Sequence, residues 1–253
     1  MDLPIQFEEY GQPDAPLLVF IHGGGVGGWM WEEQLKFFQD YHCLVPTLPE
    51  HGGQKGDVPF SIRESAKLVN DLLIEKANGQ KVNVVGFSLG AQVLVEMLSL
   101  QPALIDKAMI NSALTRPIAL PKSILRFTVK LTYSLIQHKT FAKMQAQTLY
   151  IPAHLFERYF EESCAVTAES LIRILQENMS FNIPKAFSQV QSNMLVTVGE
   201  KERGMMRKSA HDLAMCNVNC RQIVWPDIGH GVSFKEPCLF NDILSKFLRD
   251  EIN

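Results

Sequence analysis

Lys81-Val82-Asn83-Val84-Val85-Gly86-Phe87-Ser88-Leu89-Gly90 is the stretch that decides the fold. Val82, Val84 and Val85 are β-branched and run straight into Gly86, which reads as a buried strand ending in a turn. From Leu89 to Leu100 the pattern is helical and closes before Pro102. Strand, turn and helix therefore meet at Ser88. Glycines on both sides leave room for a strained turn that lifts the serine hydroxyl clear of the sheet. The helix N-terminus behind it favours developing negative charge. The string Gly-x-Ser-x-Gly is short and recurs by chance. Its strand-turn-helix setting makes Ser88 a candidate nucleophile rather than a plain helix cap.

Outward from this stretch, strands and helices alternate. Upstream, Leu17 to Ile21 is a continuous apolar run of strand length, followed by the glycine-rich loop His22 to Gly28 and a helical stretch from about Met30 to Gln39. Cys43 to Pro46 reads as a short strand, and Leu3 to Glu8 as an antiparallel edge strand. Ser61-Ile62-Arg63-Glu64 is a capping box opening a helix to about Ala77, stopped by Asn78-Gly79. Downstream lie strands at Ile105 to Ile110, Met194 to Val198 and Gln222 to Trp225, with helices at Met205 to Met215 and Leu239 to Leu248. The fold class is α/β, with a mostly parallel central sheet flanked by helices.

Residues Ser112 to about Ser192 break the alternation and read as mostly helical. The helices fall at Ser123 to Gln137, Phe141 to Leu149, Leu155 to Glu162 and Ala168 to Asn178, punctuated by Pro117, Pro121, Pro152 and Pro184. The expected division is a core of residues 1–112 and 192–253 with a helical cap, 113–191, inserted after the strand that follows the nucleophile helix. Such a cap belongs over the C-terminal edge of the sheet, where open α/β sheets bind ligands.

Composition narrows the classes. With 46% hydrophobic and 20% charged residues and a net charge of -3, the chain is an ordinary globular composition with no basic run to suggest nucleic acid or a membrane surface as partner. No apolar stretch is long enough to cross a bilayer, and the N-terminus shows no secretory pattern. Five cysteines without framework or metal spacing read as buried thiols, which suits a cytoplasmic protein.

A serine hydroxyl needs an imidazole to take its proton. Of seven histidines, His230 stands in Gly229-His230-Gly231 just after a strand, which places it at the same sheet edge as Ser88. His22 and His51 flank glycines but suit loop support better. The acid that orients the imidazole is sought on the loop Gly199-Glu200-Lys201-Glu202-Arg203, with Asp227 as a rival close to His230. His22-Gly23-Gly24-Gly25 can approach a substrate closely, and the N–H groups of Gly24, or Gly25, and Leu89 are the expected oxyanion donors. A phosphate-binding reading of this loop lacks an acid after the next strand, where Pro46-Thr47 stands.

Together, Leu18 to Gly25, Leu48 to Gly52, Gly86 to Gly90, the Gly199 loop and Gly229 to Gly231 resemble the α/β-hydrolase superfamily, nearest to small bacterial esterase-like members with a four-helix lid. The resemblance implies an eight-stranded sheet, no cofactor and no metal. It also implies an acid three residues after Gly199, which selects Glu202 over Glu200, although most relatives carry Asp there. The layout is similar to the menaquinone-pathway synthases, but Ala91-Gln92 replace the arginine those enzymes use for carboxylates. Ser88 sets the chain apart from the dehalogenases and epoxide hydrolases, whose nucleophile is an aspartate.

The expected activity is hydrolysis of a small or medium, apolar carboxylic ester by Ser88, His230 and Glu202, in a monomer or homodimer. Thioester or carbon-carbon bond hydrolysis, or a receptor of the same fold, are the alternatives. Gly25 and Trp29 are expected to wall the substrate site, and the aromatic cap residues, Phe127, Tyr133, Phe141, Phe156, Tyr159 and Phe160 among them, to pack the cap or line the pocket.

Overall fold

A computed structural model describes residues 5–53 and 58–252, so Leu3 and Pro4 of the expected edge strand lie outside the described residues. Its sheet contains β1 (Phe7–Tyr10), β2 (Leu17–Ile21), β3 (His42–Pro46), β4 (Val82–Phe87), β5 (Ile105–Asn111), β6 (Asn193–Gly199) and β7 (Cys220–Trp225). The spatial order is β1-β3-β2-β4-β5-β6-β7. Only β1 runs antiparallel, with Phe7 opposite Pro46 and Tyr10 opposite Cys43. The described residues thus form seven strands, not the eight that the resemblance implies.

Every residue of β2 and β3 is buried, because both faces of the sheet are covered. Leu17, Val19 and Ile21 point into a core shared with α2 (Ile62–Lys76) and α3 (Leu89–Leu100). Leu18 and Phe20 point into the opposite one, where Trp31, Trp225 and Phe240 gather. That second core receives α10 (Pro237–Leu248) and lies beside the short α1 (Glu32–Phe37), which follows a 3-10 turn at Gly28–Trp31. The capping box forms: the Ser61 hydroxyl accepts the Glu64 N–H at 3.1 Å and starts α2.

Between β5 and β6 stand four helices, α4 (Lys122–Ile136), α5 (Lys139–Thr148), α6 (Phe156–Ala165) and α7 (Ala168–Ser180), within a few residues of their expected places. α4 touches α7 through a small cluster of Leu125, Val129 and Ile172. Much of its apolar surface faces outward. Phe127 is 69% exposed, so it does not pack as the sequence suggested, and Met144 of α5 is exposed as well. Polar bonds tie this segment to the sheet. Glu50 accepts from Ser170 at 2.8 Å and from Arg173 Nε at 3.0 Å, while the buried Gln92 amide donates to the carbonyls of Leu114 at 2.6 Å and Asn178 at 2.9 Å. After β6 come α8 (Gly204–Cys216), then β7, then the short α9 (Val232–Lys235) ahead of α10. All five cysteines are free, but only Cys43 is buried, and burial pushes its thiol up to about 12. Cys238 is exposed, against the expectation of buried thiols.

Candidate active site

β4 hands over to α3 at Ser88, whose φ of 53° and ψ of -111° lie outside the regions an L-residue ordinarily adopts. The flanking glycines are a steric necessity. A Cβ on Gly86 would stand 2.6 Å from the Gly90 carbonyl oxygen, and one on Gly90 would collide with the carbonyls of Ile21 and His22. The Ser88 N–H donates to the Asn111 carbonyl at 2.8 Å, which fastens the turn to the end of β5.

His230 arrives on the loop after β7 and faces the serine. Its Nε2 lies 2.9 Å from Ser88 Oγ, and its Nδ1 lies 2.7 Å from Glu202 Oε2. With Nδ1–H donating to the carboxylate, Nε2 is the acceptor for the serine hydroxyl. The Glu202 side chain is 2% exposed. Its other oxygen, Oε1, accepts the Gly199 N–H at 2.9 Å and the Ser112 hydroxyl at 2.6 Å. The rival acids face elsewhere. Glu200 accepts the Asp227 N–H at 3.0 Å, and Asp227 pairs with Lys201 at 3.0 Å in solvent.

The glycine loop lies across the turn from His230. A Cβ on Gly24 would meet Leu89 Cδ2 at 3.3 Å, so this backbone and the start of α3 are neighbours. Among the described residues, neither the Gly24 nor the Leu89 N–H donates to another protein group. The Phe87 ring sits under Gly23, where a Cβ would be 2.8 Å from Cδ1, and it also lies against the His230 ring, 4.9 Å away centre to centre. His22 holds the loop from behind. Its Nδ1 lies 2.8 Å from the Gly23 carbonyl, and its Nε2 accepts the Leu48 N–H at 3.1 Å. That pattern needs a neutral ring, and burial, reinforced by neighbouring His51, pushes the His22 pKa down to about 3.

A cavity of about 350 Å³ opens over Gly24 and Gly25, walled by Ile136, Leu149, Tyr159, Val166 and Ile174 of the helical segment. Trp29 is not among its lining residues. The Trp29 indole instead donates to Glu162 at 2.7 Å and borders a larger cavity of about 550 Å³ between β1, α1 and Leu155. Neither space has Ser88, His230 or Glu202 among its lining residues, but the smaller one is lined by Gly24 and Gly25 of the loop beside the serine turn, which makes it the substrate candidate.

Ser88, His230 and Glu202 are therefore brought together, with Gly24, Gly25 and Leu89 beside them, and Trp29 is turned away. Two further residues touch this arrangement without a motif to mark them, Ser112 at Glu202 and Phe87 at His230. A Ser112 hydroxyl that serves a carboxylate on another loop leaves no local pattern in the sequence.

The sequence pattern of the alpha/beta hydrolase family matches residues 18–243. The chain belongs to the alpha/beta hydrolase family. Within it, RutD of Pseudomonas syringae pv. syringae, named as a carbamate hydrolase, is 25% identical over 96% of this chain and 97% of its own. An AB hydrolase superfamily protein of Gibberella zeae is 29% identical, but over 38% of this chain and 35% of that protein only. Among solved structures, a thermophilic esterase from Thermogutta terrifontis superposes with a TM-score of 0.78 over 98% of this chain and 94% of its own at 16% identity, which is a likeness of fold. This hydrolase-family chain thus shares its sheet and general layout with esterases and other hydrolases.

Proposed function

We propose that the chain is a serine hydrolase that cleaves a small or medium, uncharged carboxylic ester through an acyl-enzyme. The observation that carries this reading is the continuous line of hydrogen bonds from Ser88 Oγ through His230 to the buried Glu202 carboxylate. Ser88 Oγ attacks the ester carbonyl as His230 Nε2 takes its proton, and Glu202 stabilises the imidazolium that forms. The N–H groups of Gly24 and Leu89 receive the oxyanion. His230 returns the proton to the departing alcohol, and a water activated by the same ring then releases the acid.

The cavity supports the substrate class. Its described lining is apolar or neutral polar, with no Lys, Arg, Asp or Glu among it, and burial lowers the pKa of its one histidine, His51. A charged acyl group would lose its hydration there without a partner. In this reading residues 113–191 form the lid that supplies most of the wall. RutD, alike over its whole length, makes a carbamate the second substrate to try, since its carbonyl offers the same point of attack.

The test is fluorophosphonate labelling with intact mass and peptide mapping, alongside turnover of p-nitrophenyl esters of rising acyl length and of a p-nitrophenyl carbamate. Labelling at Ser88 and turnover lost in Ser88→Ala are expected. A folded protein left unlabelled would sink the reading. A single acylation without release would make it a receptor.

A further inference from the structure

Asn111-Ser112, the dipeptide at the end of β5, touches two members of the candidate triad at once. The Asn111 carbonyl accepts the Ser88 N–H, and the next residue sends its hydroxyl to Glu202. We propose that Ser112 is a positioning residue for the reaction, acting through Glu202. The inference rests on the serine-hydrolase reading above.

Three observations carry it. First, the contact is short and dry: Ser112 is 2% exposed, and its Oγ donates to Glu202 Oε1 at 2.6 Å. A charge-assisted hydrogen bond of that length away from water is among the stronger a side chain makes. Second, the two Glu202 oxygens have separate partners. Oε1 takes Ser112 and the Gly199 N–H, while Oε2 takes His230. Glutamate has one more rotatable bond than aspartate, so its carboxylate needs an additional restraint to present a fixed oxygen to the imidazole. Ser112 supplies that restraint from a strand that neither Glu202 nor His230 occupies. Third, the backbone is bent to deliver it. Ser112 has φ of 58°, a left-handed conformation costly for a serine, and its N–H is held by the Thr197 carbonyl at 2.8 Å.

Removing the hydroxyl leaves Oε1 with a single donor and lets the carboxylate swing about its last torsion. The His230 hydrogen bond then loosens in every step that charges the ring. Ser112 does not line the cavity, so substrate binding has no reason to change.

Two variants separate the hydroxyl from the backbone. Ser112→Ala removes the hydroxyl and keeps the left-handed strain, while Ser112→Gly removes the hydroxyl and relieves the strain. Both are expected to lose roughly tenfold or more in kcat, with KM within about twofold, since that is the size of one charge-assisted bond. A downfield proton resonance is expected by NMR for His230 Nδ1–H in the wild type, and it should move upfield or broaden in both variants. In a Glu202→Ala background, adding Ser112→Gly should cost nothing further, because its only route to the chemistry is gone.

A Ser112→Gly protein with wild-type kcat and an unchanged Nδ1–H resonance would overturn the proposal. So would full additivity of Ser112→Gly with Glu202→Ala. Failure of the underlying reading looks different: Ser88→Ala and Glu202→Ala would then leave turnover intact.

Discussion

Ser88 carries a contradiction that can be measured. Its backbone is held at φ 53° and ψ -111°, where a side chain is costly and only glycine is at ease. Ser88→Gly should therefore abolish turnover yet stabilise the fold by about 1 kcal/mol. For a chain of this length that raises Tm by roughly 2–4 °C in calorimetry. An unchanged or lower Tm would mean that the turn is not strained. The acids give a second contrast. Glu202→Ala should reduce kcat roughly a thousandfold or more, whereas Glu200→Ala, whose carboxylate accepts the Asp227 N–H, should stay within a few-fold in the same ester assay. Ser88 and His230 were legible because glycines frame them and the chemistry admits few residue types. Glu202 was legible only through the spacing the family resemblance supplied. Ser112 was not legible at all, since its role exists only where β5 and the β6 loop meet. Trp29 misled because an aromatic beside a glycine loop reads the same whether it faces a ligand or Glu162.

At the scale of elements, α5 ends against the loop that bears His230. A Cβ on Gly231 would collide with the Leu149 carbonyl, and one on Gly229 would stand 2.8 Å from the Tyr150 hydroxyl. Gly231→Ala must therefore push the helical segment and the His230 loop apart. Lower kcat, raised KM and a Tm drop of several degrees are expected from kinetics and calorimetry. Gly204→Ala at the start of α8 meets nothing within 4 Å and serves as the control, with activity unchanged. If both variants behaved alike, the steric reading of this junction would be wrong. The helices themselves were readable from apolar period and proline punctuation. Their outward faces were not: α4 has the pattern of a packed helix, yet only Leu125 and Val129 on it are buried. Periodicity reports that a helix has an apolar side, and the tertiary arrangement decides how much of that side is covered.

Across the whole molecule, acid should unfasten the loops that hold His22 and His51. His22 and His51 are fully buried, and burial lowers both pKa values, His22 to about 3 from an ordinary 6.5. The unfolded chain therefore binds protons that the folded chain refuses, so stability is complete above pH 6.5 and falls as pH drops below it. Each histidine contributes a slope of up to about 1.4 kcal/mol per pH unit. Carboxylates held below their ordinary 4.5 add loss only lower down; Glu50 is one, where burial pushes up but Arg173, the Phe60 N–H and Ser170 together outweigh it. Urea unfolding between pH 7.5 and 5 thus isolates the histidines. The midpoint should decline, and a His22→Gln variant should decline less steeply. A flat wild-type profile would refute the account.

The junction of α5 with the Gly229–Gly231 loop has one more consequence. Door and trigger share a hinge pin: Leu149 walls the cavity, and its carbonyl rests where a Gly231 side chain would otherwise be. A displacement of α5 wide enough to flood the cavity would also remove the support on which the imidazole loop is seated. Under the proposed mechanism Ser88 would then be unarmed whenever it is uncovered, an interlock made from two glycines and one backbone oxygen.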